Sequence, residues 1–230
     1  MALNNEVLDM YEQLQNILNF NKSIINVYCN DYNNYWEFIK DLKNIIINIG
    51  NNLDKTKYDE VEPNIWISKT AKVDNTARIM GPCIIDDDSE IKVNSFIRGN
   101  VIIGKGCVVG NSSEIKNSVL FDEAKIPHFN YIGDSILGYK AHFGAGSLTS
   151  NVKSDESFVN VTLNENKYHT DMKKIGAVVG DYVEIGCNAV LTPGAIIGRN
   201  STIYPLTMVR GEISSNKIVK SANEIVEKRM

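Results

Sequence analysis

Nine apolar residues stand six apart without interruption: Ile67, Val73, Ile79, Ile85, Ile91, Ile97, Ile103, Val109 and Ile115. Four positions after each of the first eight comes a residue that is small in nearly every case: Ala71, Ala77, Cys83, Ser89, Ser95, Val101, Cys107 and Ser113. Neither a helix, with its period of about 3.6, nor an alternating strand yields a strict period of six. The spacing predicts a triangular coil in which each repeat supplies one short flat strand and one corner. Three repeats close a turn of about eighteen residues, and turns stack about 4.8 Å apart through backbone hydrogen bonds. The branched aliphatic fills the narrow interior, and the small residue sits where the corner leaves little room.

The pattern places this coil from about Ile65 to Ile203. Past Ile115 the register shifts by a residue, and Leu120, Ile126, Ile132, Leu137 and Phe143 continue at spacings of five or six, with Ala124, Ala141 and Ser147 as small partners. A polar insert at 152–175 then breaks the repeat. The period returns at Val179, Ile185, Leu191, Ile197 and Ile203, with Val183, Ala189, Ala195 and Ser201 four behind. Loops that leave a solenoid are where function is expected.

The flanks differ in kind. Leu3, Val7, Leu8, Met10, Tyr11, Leu14, Ile17 and Leu18 recur at helical spacing. Trp36, Phe38, Ile39, Leu42, Ile45 and Ile46 do so again within Tyr35 to Ile49. Two helices are therefore predicted, joined by an Asn-rich loop around Cys29 to Asn34. The second ends at Gly50-Asn51-Asn52, residues that tolerate a left-handed cap. At the other end, Ala222 to Arg229 reads as a short helix closing the coil, whose unpaired strand edges need a cap. The division is a helical segment over 1–60, a coil over 61–210 carrying the insert, and a cap over 211–230.

Composition narrows the function classes. A net charge of -4 and the lack of a basic stripe argue against a nucleic-acid partner. No apolar run reaches membrane-spanning length and MALNNEVLDM has no signal-peptide pattern, so no membrane partner and a cytoplasmic location are expected. Cys83 and Cys107 fill small-residue slots, while Cys29 and Cys187 stand far apart without metal spacing, which fits reduced thiols.

The chemistry-bearing candidates are few. There is no GKS or GKT, no HExxH and no paired CxxC. The glycines of the coil (Gly104, Gly110, Gly138, Gly144, Gly180, Gly186, Gly198) read as corner residues. The histidines are His128, His142 and His169. His128 follows a proline where the repeat breaks and Asn130 takes the small slot. Lys116 precedes it by twelve residues, and Arg98 precedes Lys116 by eighteen. Eighteen is one turn, so Arg98 and Lys116 should stack. Stacked cations with no acid between them repel, unless an anion sits there. A phosphate-bearing substrate fits that reading; two solvated surface charges is the alternative.

The run EIKNSVLFDEAKIPHFNYIGDSILGYKAHFGAGSLTSN, from Glu114 to Asn151, resembles the acetyltransferase half of the bifunctional glucosamine-1-phosphate acetyltransferase / N-acetylglucosamine-1-phosphate uridyltransferase family. KKIGAVVGDYVEIGCNAVLTPGAIIG and the helix YWEFIKDLKNII are similar to the archaeal sugar-1-phosphate nucleotidylyltransferase/acetyltransferase branch. The resemblance covers roughly 35–210. No Gly-rich sugar-nucleotide signature is present, so uridylyl transfer is not expected.

The resemblance implies a left-handed parallel β-helix, mainly β, and a homotrimer with active sites between subunits. It implies acetyl-CoA as donor, an amino-sugar phosphate or sugar nucleotide as acceptor, and chemistry without a metal. His128 corresponds to the family's general base, a role that suits an imidazole because it titrates near neutrality. Arg98 and Lys116 correspond to sugar-phosphate anchors, and Tyr131 and Asn151 to sugar-contacting residues. Ala145 and Cys187 fall where the CoA arm is met. In the insert, Lys173 and Lys174 are candidates for the CoA phosphates or the sugar phosphate, with a solvated loop as the alternative for at least one of them, and Lys174 is assigned to the CoA side. His142 stands where an Asn binds substrate, Val152 replaces a Tyr and Cys187 replaces a Ser, so the acceptor pocket departs from the pattern. Two other classes share the coil. One is a non-catalytic assembly or regulatory protein. The other is a gamma-type carbonic anhydrase, whose paired zinc-binding histidines are not matched by separations of fourteen and twenty-seven.

Overall fold

The computed structural model describes residues 9–229. The period of six becomes a triangular prism, a left-handed parallel β-helix with one parallel sheet on each side. One face begins with Tyr58–Glu62, antiparallel to Ile65–Ser68, then runs parallel through Cys83–Ile85 and Val101–Ile103 to Ala195–Ile197 and Glu212–Ile213. The second runs from Lys72–Val73 to Thr202–Ile203 and Lys217–Ser221, and the third from Arg78–Ile79 to Met208–Val209. Strand partners Ile65, Cys83 and Val101 stand 18 apart, as the repeat requires. Around Ser118 the turns shrink to 17, since Ser118 pairs with Val101 and Val119 with Ile136. Ile136 pairs with Val178 across the insert.

The core follows the repeat. Ile85, Ile91, Ile97, Ile103, Val109 and Ile115 are buried in one column with the small residues Cys83 and Cys107. Val73 is exposed and Ile67 and Ile79 half-buried, because no turn lies before them. The buried serines of the small slots bond to the next turn: Ser89 Oγ donates to Gly104 O at 2.6 Å and Ser95 Oγ to Gly110 O at 2.8 Å. Buried hydroxyls need such acceptors. All four cysteines are free, and Cys187 alone among them is exposed.

One face is apolar on both sides. Trp66, Ile84, Ile102, Val119, Ile136, Val178 and Ile196 point outward from it and pack against the helical segment. That segment holds α1 (Met10–Leu14), two 3₁₀ turns (Phe20–Lys22 and Ile24–Tyr28) and α2 (Tyr35–Asn51). Asp9 and Glu12 form a capping box on α1. The predicted first helix is shorter than its pattern; Leu3, Val7 and Leu8 lie outside the described residues. The side chains of Asn19 and Ser23 accept from Asn21 N and Ile25 N, starting new turns in place of a continued helix. Gly50 does not cap α2 as predicted but lies inside it. A Cβ there would sit 2.3 Å from the Trp66 ring, so the glycine marks close approach of helix to coil. We call this side the covered face. The second is the polar face, with Lys72, Glu90, Lys125, His142 and Glu184 in its registered strands. The third is the open face.

Two expectations are corrected at the C-terminal end. The coil continues past Ile203 through Met208–Val209 and Glu212–Ile213. Ala222 to Arg229 contains no helix: Lys217–Ser221 and Glu224–Glu227 form an antiparallel hairpin on the edge of the polar face. The β-branched pairs Ile218-Val219 and Ile225-Val226 favour strand, and the last turn offers unpaired backbone to receive it. Within the insert, Asn160–Leu163 and Asn166–His169 form a second hairpin. No helix of the described residues is long and apolar enough to cross a membrane.

Candidate functional site

Two groups of predicted residues gather at two different corners. The corner between the polar and open faces carries His128, Ala145 and Cys187 on successive turns. Gly146 N donates to His128 O at 3.1 Å, Asn188 N to Ala145 O at 2.9 Å and Leu206 N to Cys187 O at 2.9 Å. The backbone ladder thus stacks the three. Cys187 lies over Gly144, where a Cβ would come within 3.0 Å of its Sγ. His128 ends the strand Lys125–His128 and is exposed; its imidazole has no hydrogen-bond partner among the described residues.

Asn130 explains how this corner is held. Asn130 stands in the slot that Ser95 and Ser113 fill on the preceding turns. Its Nδ2 donates to Gly144 O at 2.9 Å, Ser147 O at 3.0 Å and Ser147 Oγ at 3.2 Å, and its Oδ1 accepts from His128 N at 3.0 Å. The break in the small-residue pattern at Asn130 is the sequence signal for this brace.

The corner between the open and covered faces carries the second group. Lys116 Nζ donates to Asp134 at 3.2 and 3.4 Å, Asn117 Nδ2 to Asp134 Oδ1 at 2.8 Å and Asn151 Nδ2 to Asp134 Oδ2 at 2.5 Å. Tyr131 joins the group through Asn151, and burial together with the Asp134 charge raises its pKa. Asp134, 4% exposed, was not among the predicted residues. The spacing that carries Lys116 one turn back to Arg98 also carries it one turn forward to Gly133-Asp134, which is the signal that could have found it.

This geometry corrects the premise that Arg98 and Lys116 stack without an acid between them. Glu114 accepts from Arg98 Nη1 at 2.5 Å, which raises the Arg98 pKa, and Asp134 receives Lys116. Lys174 and His142 are placed elsewhere than Ala145 and Cys187. Val152 bridges Lys174, and Ile175 N donates to Asn151 O at 3.0 Å, so Lys174 stands at the Asp134 corner. His142 lies on the polar face with its Nδ1 2.8 Å from Glu184 Oε2.

Residues 79–164 match the GMPPB C-terminal domain family and residues 176–211 the bacterial transferase hexapeptide (six repeats) family. YaiX of Escherichia coli (strain K12), described as an uncharacterized acetyltransferase, is 32% identical over 186 residues, covering 81% of this chain and 79% of YaiX. The bifunctional protein GlmU of Methanococcus maripaludis (strain S2) is 34% identical over 205 residues, covering 81% of this chain and 50% of that protein. The bifunctional sugar-1-phosphate nucleotidylyltransferase/acetyltransferase of Sulfurisphaera tokodaii is 30% identical, with 83% of this chain and 50% of that protein covered. The chain belongs to the hexapeptide-repeat acetyltransferases. Within them it groups with the acetyltransferase part of the bifunctional GlmU-type proteins, and it spans about half the length of these curated relatives.

Proposed function

We propose that this protein transfers an acetyl group from acetyl-CoA to the amino group of a phosphorylated amino sugar, glucosamine-1-phosphate or a close relative. The observation that carries the reading is the exposed, unpartnered imidazole of His128 in one column with Ala145 and Cys187. In this reading the amine nitrogen attacks the thioester carbonyl, the C–S bond breaks, and the CoA thiolate leaves. His128 takes the proton the amine sheds and passes it to the departing sulfur. Ala145 and Cys187 line the path of the CoA arm along the corner.

The Asp134 corner supplies the acceptor side. Lys116 and Asn151 present their donors from a fixed carboxylate, Tyr131 packs beside them, and Arg98 exchanges Glu114 for the sugar phosphate. Lys174 then serves the acceptor's end, and His142 the acceptor's periphery. The two corners flank the open face, so we infer a homotrimer in which neighbouring chains close the site across that face. Acetyl-CoA and sugar phosphates are cytoplasmic metabolites, and the cytoplasm is the location this reading implies.

The test is acetylation of glucosamine-1-phosphate, followed by release of free CoA. His128→Ala should lower kcat by 10²–10⁴-fold with an unchanged fold, as expected for loss of a positioned base. His142→Ala should change mainly the acceptor KM. Wild-type protein that releases no CoA with any amino-sugar phosphate would instead support a non-catalytic coil.

A further inference from the structure

The insert builds a cleft that the acetyl-transfer reading does not use. Its hairpin has two sides. Val159, Val161 and Leu163 are buried against α2 and the covered face, and the Tyr168 ring lies 5.5 Å from that of Trp36. The alternation of a strand turns Asn160 and Thr162 the other way, with Lys167 paired to Thr162. The coil closes in beneath. Gly194, at φ +80, donates its N–H to Gly176 O at 2.7 Å, and a Cβ on it would lie 2.9 Å from Asn160 O. Only a glycine allows that backbone approach, and it seats the hairpin firmly on the coil.

Between hairpin and coil lies a cleft of about 320 Å³. Lys153, Lys167 and Arg210 line it and no acidic residue does. Lys153 is partly engaged by Asp155, at 3.7 Å, and by Ser157. The side chains of Lys167 and Arg210 form no ion pair or hydrogen bond with another described residue. Thr192 also lines the cleft, and its Oγ1 is buried without a hydrogen-bond partner. A buried hydroxyl left unpaired costs free energy that a bound acceptor would recover. Two uncompensated cations beside such a hydroxyl, on a chain of net charge -4, call for an anion rich in acceptor oxygens.

We propose that this cleft binds the phosphate group of a small molecule. Arg210 grips it by two parallel N–H donors, Lys167 adds a point charge and Thr192 donates its hydroxyl. Within one chain the cleft stands at the covered–open corner beside the insert, whereas His128 stands at the polar–open corner. The site does not depend on the acetyl-transfer reading. Its phosphate can come from the CoA moiety, from a sugar phosphate or from a free phosphate ester.

Titration calorimetry on the full chain with inorganic pyrophosphate tests the site, followed by CoA, dephospho-CoA and glucosamine-1-phosphate as separate arms. Arg210→Ala should weaken pyrophosphate binding at least ten-fold, and Lys167→Ala and Thr192→Val several-fold. Lys125→Ala, an exposed cation on the polar face, should change nothing. The arm that loses affinity in step with pyrophosphate identifies the source of the phosphate. Arg210 and Lys167 are surface side chains, so their variants remain informative even where Thr192→Val unfolds. No pyrophosphate binding by the wild type at millimolar concentration overturns the proposal. Equal weakening by Lys125→Ala does so too, since it would reduce the effect to general surface charge.

Discussion

Asp134 shows how a single residue organises a site without being chemically conspicuous. Its carboxylate gathers the amines and amides of Lys116, Asn117 and Asn151, and its backbone sits at φ +50, a conformation Asp tolerates better than most residues. Asp134→Ala removes the acceptor and replaces a side chain that tolerates this backbone with one that disfavours it. Breaking a buried pair costs about 3–5 kcal/mol, and the 22% exposure of Lys116 places the loss at the low end of that range. Denaturant midpoints should show a loss of about 3 kcal/mol for Asp134→Ala and clearly less for Asp134→Asn. A loss below about 1 kcal/mol would mean the donors simply turn to water. In turnover, Lys116→Ala should raise the KM for glucosamine-1-phosphate roughly ten-fold, the worth of one charge-assisted contact, and leave that for acetyl-CoA unchanged. The repeat places Lys116 one turn from Arg98 and His128 at a break in the small-residue slots, while Asn151 is legible only through the family resemblance. Asp134 lies within reach of the same count, one turn of 18 on from Lys116, but counted only backward, to Arg98, the repeat meets a second cation in place of an acid.

At the scale of elements, the interior column was legible residue by residue and the covered face was not. The signal was present: IWI, CII, VII, SVL, SIL, AVV and AII recur one per turn. Each triplet sets a second apolar residue, pointing outward, beside the one that fills the core. A strand apolar on both sides is buried on both, so some element had to lie over that face, and α2 does. The cap was misread for a different reason. Eight residues around Ile225 and Val226 satisfy helix and strand spacing alike, and the exposed edge of the last turn decided for strand. The junction of α2 with the coil gives a contest of magnitudes. Alanine is favoured over glycine inside a helix by about 1 kcal/mol. At Gly50 the added Cβ would lie 2.3 Å from the rigid Trp66 ring, and overpacking of that kind costs about 1–3 kcal/mol. Gly50→Ala should therefore lower the melting temperature, and Gly50→Ala combined with Trp66→Ala should recover part of the loss relative to Trp66→Ala alone. A Gly50→Ala variant more stable than wild type would show that helix and coil are loosely joined.

For the whole molecule, the three faces differ in what they leave for other chains. The covered face is occupied by the helical segment and the polar face presents Lys72, Glu90, Lys125 and Glu184 to water. The open face carries the larger share of apolar side chains among the uncovered strands, with Phe96, Tyr131, Leu148, Val190 and Met208 in outward register and Glu114 between the first two. Apolar side chains in a row on a flat surface gain by burial against another copy, at roughly 25 cal/mol for each Å² removed from water. A closed three-fold ring satisfies this for every chain equally. Sedimentation equilibrium at micromolar concentration should give three times the chain mass of 25.7 kDa. Leu148→Lys should shift the population to single chains, because three copies of an unpaired ammonium would meet near the ring's interface. The same variant separates assembly from chemistry. It leaves His128, Ala145 and Cys187 untouched, so loss of acetyl transfer together with loss of the trimer would place the neighbouring chain within the working site. A monomeric wild type with full activity would refute the ring and leave each chain's own two corners to do the chemistry alone.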